Sequence, residues 1–288
     1  MTLAKTIQME PLKKHLRYTL STASVLNKKR STSSLIIAPA ERAKSTEVTK
    51  FDEAGCGLMY LSDFTSWGLR DLVNRMTPME RKRIHHLVLP DIERLSARGR
   101  NLRKQILADM RFIMEEGFIR VKTFNTDIDI SDEPFQCAFI ICTTKEDVSD
   151  GRSLYRKGNS FASRLVPFSY DFSNGMRESV LDFVTSEACF MKDTRESILC
   201  KSYDVDLPDC HKRTLKMCAK MLAKSTDNWT ASKDALIGIR ALENLQTYVK
   251  GISVYNGRQR VTDEDMDEFL WLFHWMNYNF YNIDEFEK

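Results

Sequence analysis

A chain of 288 residues with 42% apolar and 29% charged side chains can bury the core of one large domain or two modest ones, and is not a disordered or fibrous protein. Its 43 basic and 40 acidic residues leave a net charge of +3, too mild to mark a whole surface for polyanions, so any nucleic-acid contact has to be a local patch. No apolar run approaches the roughly 18 residues of a membrane span, and Glu10 with basic neighbours stands where a secretion signal would be apolar, so a cytoplasmic protein free of the membrane is expected.

In chain order, residues 1–30 read as an N-terminal helical segment with basic residues at both ends (Lys13, Lys14, Arg17; Lys28, Lys29, Arg30). Four short apolar runs follow: "SSLIIAP", "CGLMYLSD" (56–63), "HHLVLPD" (85–91) and "CAFIICTT" (137–144). Runs of this length and apolarity suit strands of a parallel sheet covered on both faces. A weaker fifth, "RLVPFSYDF" (164–172), contains Pro167 and suits an edge. Helical stretches separate them: residues 68–84, and 100–116 with Leu102, Ile106, Met110, Ile113 and Met114 at helical spacing and Gly117 as a C-cap. Strands alternating with helices predict an α/β core over 31–207 with a parallel, helix-covered sheet. From 208 to 288 the pattern is all helical, a smaller lid-like domain whose last helix opens with Thr262 and Asp265 in capping-box spacing.

The seven cysteines (Cys56, Cys137, Cys142, Cys189, Cys200, Cys210, Cys218) are odd in number and contain no Cys-x-x-Cys pair. Reduced, buried thiols are expected rather than a metal cluster.

The first strand runs into "APAERAKST", residues 38–46. A phosphate-binding loop has the form G-x-x-x-x-G-K-[ST]: backbone N–H groups cradle phosphate, Lys reaches the β/γ oxygens and Ser/Thr holds Mg²⁺. Here the spacing is kept with Ala38 and Ala43 in the two glycine positions, followed by Lys44, Ser45 and Thr46. Alanine obstructs phosphate least among residues with a Cβ, but it resists positive φ. Glu41 brings an unwelcome negative charge. Such a loop needs a Mg²⁺-binding acid at the end of another buried strand, and Asp91 after "LVLP" supplies one. The water-orienting glutamate that usually follows directly is replaced by Ile92, and the next acid is Glu93. Asp63 is a competing acidic strand end.

Residues 107–144, "LADMRFIMEEGFIRVKTFNTDIDISDEPFQCAFIICTT", resemble the middle of an AAA+ ATPase, in the branch of MoxR-like and MCM-like proteins. A helix ends in Glu-Glu-Gly, a short β-hairpin follows, then an apolar strand with a polar end. The resemblance spans roughly residues 31–275. It implies sensor 1 at Thr143 or its neighbour Thr144, and an arginine finger at Arg164, with Arg156 and Arg152 in reserve. It also implies a sensor 2 arginine at Arg240. ATP with Mg²⁺ would sit between sheet and lid, held by Ala38, Ala43, Lys44, Ser45, Thr46 and Arg240, with Ser45 and Asp91 on the metal. Glu93, Arg164 and Thr143 would serve hydrolysis, and a finger acting in trans implies a homo-oligomeric ring. The macromolecule remodelled or translocated would be DNA, on the hairpin's Arg120 and Lys122 and the basic helix before it, or a partner protein. The departures in the loop and at position 92 suggest the alternative of a degenerate subunit acting as scaffold or adaptor.

Other conspicuous residues have plainer readings. His85 and His86, adjacent on a strand, point to opposite faces and cannot chelate together. Trp67, Trp229, Trp271 and Trp275 read as core or lid-interface residues. Glu115 and Glu116, at a helix end, read as solvated, as does the basic run Arg98, Arg100, Arg103, Lys104.

Overall fold

The computed structural model describes residues 9–92, 95, 97–118, 120–123, 126–130, 134–149, 159–185, 195–198, 200–230 and 236–284. In chain order the elements are α1 (Glu10–Ser21), β1 (Ser33–Ile37), α2 (Lys44–Val48), α3 (Glu53–Cys56), β2 (Leu58–Tyr60), α4 (Ser66–Arg75), α5 (Pro78–Arg83) and β3 (His86–Leu89). Then come α6 (Arg100–Glu115), β4 (Arg120–Thr123), β5 (Thr126–Asp129), β6 (Ala138–Thr143), α7 (Lys145–Ser149), α8 (Asn159–Ala162) and β7 (Leu165–Asp171). The chain ends with α9 (Asn174–Thr185), α10 (Asp209–Thr230), α11 (Ile239–Tyr255), α12 (Asp263–Phe273) and β8 (Tyr281–Asn282).

Six strands form one sheet in the order β2-β3-β6-β1-β7-β8, and every pairing in it is parallel. The α/β architecture, with a helical C-terminal region, is the one expected. β1, β3 and β6 are buried at every position, because helices cover both faces. Successive side chains alternate between those faces. Ile36, Val88, Ile140 and Phe168 pack with Leu16 of α1, Tyr248 of α11 and Phe269 of α12. Leu35, Leu87, Phe139 and Ile141 pack instead with Val73 of α4 and Met110 and Ile113 of α6. Residues beyond 208 thus share a core with the sheet.

β4 and β5 form a separate antiparallel hairpin, Arg120 opposite Asp129. β7 is not the last strand, since β8 lies outside it. β8 pairs with β7 at Tyr170 and Asp171, so Pro167 stands short of that pairing and its missing N–H breaks no ladder there.

His15 ties the layers together. Its ring nitrogens lie 2.6 Å from Ser34 Oγ and 3.0 Å from Tyr248 Oη, and it stacks on Phe168 with centroids 4.5 Å apart. Burial pushes its pKa down to about 3, so the ring is neutral. At the other end of the chain Thr262 and Asp265 form the expected capping box that starts α12.

Of the tryptophans, Trp275 is fully buried, Trp271 packs against the same core, and Trp229 stacks on Tyr278 at 4.2 Å. Trp67 departs from expectation: it is exposed, on the outer face of α4. The described cysteines are free, and Cys210 is exposed rather than buried. Among the described residues no helix is long and apolar enough to cross a membrane.

Candidate functional site

β1 delivers its loop to the C-terminal edge of the sheet, between the ends of β6 and β7. Ala38 is buried, and its N–H donates to the Thr143 carbonyl at the end of β6 (3.4 Å). The loop contains no glycine, yet Glu41 and Ala43 adopt φ of 60° and 56°. Left-handed backbone costs an L-residue roughly 1–2 kcal/mol, so neighbours have to hold it. They come from the end of β7: Tyr170 Oη donates to the Arg42 carbonyl (2.6 Å), and Arg42 Nε donates to Asp171 Oδ1 (2.8 Å). The Arg42 guanidinium also lies over the Phe172 ring. The conformation that glycine would give freely is imposed here by a clamp.

Lys44 opens α2, a helix of only five residues. Its ammonium turns back into the loop and donates to the carbonyls of Ala38 (2.9 Å) and Pro39 (2.8 Å). The side chain is 8% exposed. Burial lowers its pKa, against which the carboxylates of Glu146 and Asp91 act in the opposite sense. Ser45 Oγ donates to the Pro90 carbonyl at 2.7 Å, which fixes the start of α2 against the end of β3. Asp91 is the next residue, exposed at the same edge. Lys44, Ser45 and Asp91 are thus brought together, with Thr46 exposed alongside.

Thr143 ends β6 between β1 and β3. It is 2% exposed, on the face of Phe139 and Ile141, and among the described residues its hydroxyl has no hydrogen-bond partner. Thr144 has a structural duty: its Oγ1 accepts from the Asp147 N–H (3.1 Å) and donates to Asp147 Oδ2 (2.7 Å) at the start of α7. Asp63 is bound by both of its oxygens to Arg98, at 2.8 and 2.7 Å, which takes that acid out of competition with Asp91. Glu93, Arg152 and Arg156 lie outside the described residues.

A magnesium ion fits this donor set in one way. Among the described residues no three His, Cys, Asp or Glu side chains converge as a metal cage. Magnesium commonly takes one or two protein oxygens together with substrate phosphates and waters. Ser45 gives its proton to Pro90 and keeps its lone pairs, and Asp91 is accessible. Those two would hold the ion beside a polyphosphate.

Arg240, expected at the nucleotide, lies away from the Lys44 loop, in one cluster with Arg164, the residue expected to act on a neighbouring subunit's nucleotide. Arg164 directly precedes β7, and Leu165 pairs with Ser33 at the start of β1. That is the opposite edge of the sheet, separated from the loop by roughly 13 Å of β1. Arg164 is turned inward, 9% exposed at its side chain, and donates to Glu115 Oε2 (2.8 Å). Arg240 Nε donates to Glu115 Oε1 (3.0 Å), and Arg30 binds the same carboxylate (3.4 Å) as well as Glu243 (2.8 Å). The solvated reading of Glu115 is corrected: three guanidinium groups converge on it. Burial pushes its carboxyl up, but the Arg164 hydrogen bond and the three positive charges outweigh that and hold it below the usual range. Beside this cluster opens a cavity of about 640 Å³, lined by Leu165, Leu222 and Ile239 as well as Arg30, Glu115 and Arg240.

Sequence reasoning named Arg30 and Glu115 without joining them, and missed the Tyr170–Asp171 clamp. The one local signal for the clamp is the polar break "SYD" in an otherwise apolar strand. Compared with models of protein families and with curated proteins, the chain matches none.

Proposed function

We propose that the Lys44 edge binds ATP with Mg²⁺ and that the chain is a subunit of AAA+ type. The observation that carries this is the Ser45–Pro90 hydrogen bond, which sets a Lys-Ser pair beside an acidic strand end. Lys44 is bonded only to carbonyls of its own loop among the described residues, so a polyphosphate can draw it out without breaking an ion pair. The ammonium would then bind β/γ oxygens while Ser45 and Asp91 hold the metal, and Thr143 offers an unused hydroxyl at the same strand edge.

Of the two activities the resemblance allows, the burial of Arg164 favours the subunit that binds nucleotide without fast hydrolysis. A guanidinium held by Glu115 of its own chain does not extend to a neighbour's nucleotide, and Arg240 is held by the same carboxylate. The oligomer then acts as a nucleotide-sensing scaffold or adaptor, and DNA remains the favoured macromolecule on Arg120 and Lys122 of the hairpin. Free thiols support a cytoplasmic setting.

The test is a titration with a fluorescent ATP analogue and Mg²⁺ on the wild type and Lys44→Ala. Saturable binding that Lys44→Ala abolishes is expected, and an affinity unchanged by the substitution removes the proposal. Phosphate release decides between the readings: turnover below about 10⁻² s⁻¹ is expected if Arg164 stays with Glu115 and no other residue takes the finger's place. A mass measurement with and without ATP reads the oligomer.

A further inference from the structure

α10 is the longest described helix, and its two sides differ sharply. Leu215, Cys218, Ala219 and Leu222 are buried in the core against α11. On the outer side, Arg213, Lys216, Lys220 and Lys224 follow one another at helical spacing and all are exposed. At 1.5 Å per residue the four charges extend over about 17 Å. Among the described residues none of the four forms an ion pair. Lys212, just before them, is paired with Asp209 (2.6 Å). No acidic residue occurs from Cys210 to Thr226.

Two features separate this stripe from an ordinary solvated face. Lys216–Lys220 and Lys220–Lys224 are like charges at i,i+4, each costing an isolated helix a few tenths of a kcal/mol, where a glutamate would have stabilised it. The chain's net charge is +3, and these four residues carry +4, so the rest of the molecule is slightly acidic. Between Cys210 and Thr226 stand five basic residues and no acid, whereas the whole chain carries 43 basic against 40 acidic side chains. Between the lysines stand Met217 and Met221, each 61% exposed, flexible thioethers able to pack on an uneven partner.

We propose that this face of α10 lies along the phosphate backbone of a nucleic acid and binds it without regard to sequence. A regular row of unpaired ammonium and guanidinium groups complements a regular row of phosphates, and Lys and Arg neutralise them while releasing counterions. An anionic membrane offers the same charge. Insertion there needs a broad apolar face, however, and the apolar side of α10 is already buried. The stripe does not include Lys44 or its loop, so loss of nucleotide binding would leave this proposal intact.

The experiment uses the full chain and a fluorescently labelled mixed-sequence duplex, with the corresponding single strand as a second arm, over a salt series. For four phosphate contacts on duplex, log K should fall against log salt with a slope near about −3.6. The double variant K216Q/K220Q should weaken binding at least tenfold and reduce that slope by about two, whatever the sequence of the duplex. K82Q/R83Q, on the exposed end of α5, should leave both unchanged. Circular dichroism of each variant confirms the fold. Three results would overturn the proposal: no binding at 50 mM salt, binding that K82Q/R83Q abolishes and K216Q/K220Q spares, or sedimentation with phosphatidylserine vesicles by a chain that ignores both nucleic acids.

Discussion

The two edges of the sheet use positive charge in opposite ways. At the C-terminal edge Lys44 and Ser45 donate to neutral main-chain carbonyls, those of Ala38, Pro39 and Pro90. At the N-terminal edge Arg30, Arg164 and Arg240 meet full carboxylates, Glu115 and Glu243; Arg30 and Arg164 are buried and the other three partly exposed. A cation bonded to neutral carbonyls can change partners without separating opposite full charges. A buried guanidinium cannot leave its carboxylate without stranding two charges in a poor solvent. The first arrangement suits an exchangeable ligand. The second suits a clamp, and here it joins the residue before β7, the residues before β1, the end of α6 and the start of α11.

The comparison breaks most easily at Glu115. Glu115→Gln leaves Arg30 and Arg164 buried beside a neutral group and should cost about 3 kcal/mol of stability. Lys44→Ala removes two hydrogen bonds to neutral carbonyls and separates no ion pair, and should cost about 1 kcal/mol. Denaturant midpoints on the two variants measure both. Equal losses would mean that the two edges are alike after all.

Acid sharpens the same contrast. His15 and His86 are buried, and burial lowers each pKa from 6.5 to about 3. The unfolded chain therefore takes up protons first, and stability falls as pH drops below about 6.5. Between pH 7 and pH 5.5 the loss for the pair should be about 2–3 kcal/mol. Glu115 contributes in a lower window. Its folded carboxyl titrates below the ordinary 4.5, so its stabilisation is complete above that value and disappears as pH falls through the folded pKa. Wild type and Glu115→Gln should run parallel from pH 7 to 5.5 and converge below 4.5. Denaturation at several pH values follows both, and convergence already at pH 6 would assign the histidine effect to the arginine cluster.

What was legible in the sequence follows from the range of each interaction. The five main strands showed themselves because residues such as Leu35 to Ile37, Leu87 to Leu89 and Phe139 to Ile141 must be apolar when both faces are covered. The Lys44-Ser45 spacing and Asp91 were equally plain, since each is a local pattern at a strand end. β8 escaped notice because two residues make no pattern. The Glu115 cluster was hidden for a different reason. Its members are scattered from Arg30 to Glu243, and each taken alone looks like an ordinary surface charge. Only parallel pairing, which puts Leu165 beside Ser33, reveals that Arg164 belongs at the edge away from Lys44.

The smallest expected effect tests the loop that the two alanines made doubtful. Ala43 holds φ at 56°, a conformation that costs an L-residue roughly 1–2 kcal/mol and glycine nothing. Glycine, in turn, loses more freedom on folding, by roughly 0.5–1 kcal/mol. Ala43→Gly should therefore stabilise the protein by about 0.5 kcal/mol, a shift best read from paired denaturation curves. Ala43→Val, with a branched Cβ in the same conformation, should do the reverse. Affinity for the ATP analogue offers a second readout, because removing the Cβ lets phosphate approach the start of α2 more closely. If Ala43→Gly weakens the fold, the loop's shape belongs to the Tyr170 and Asp171 clamp in a way that leaves no strain to relieve. In that case the loop is built to stay as it is, and the contrast between an exchangeable edge and a clamped one disappears.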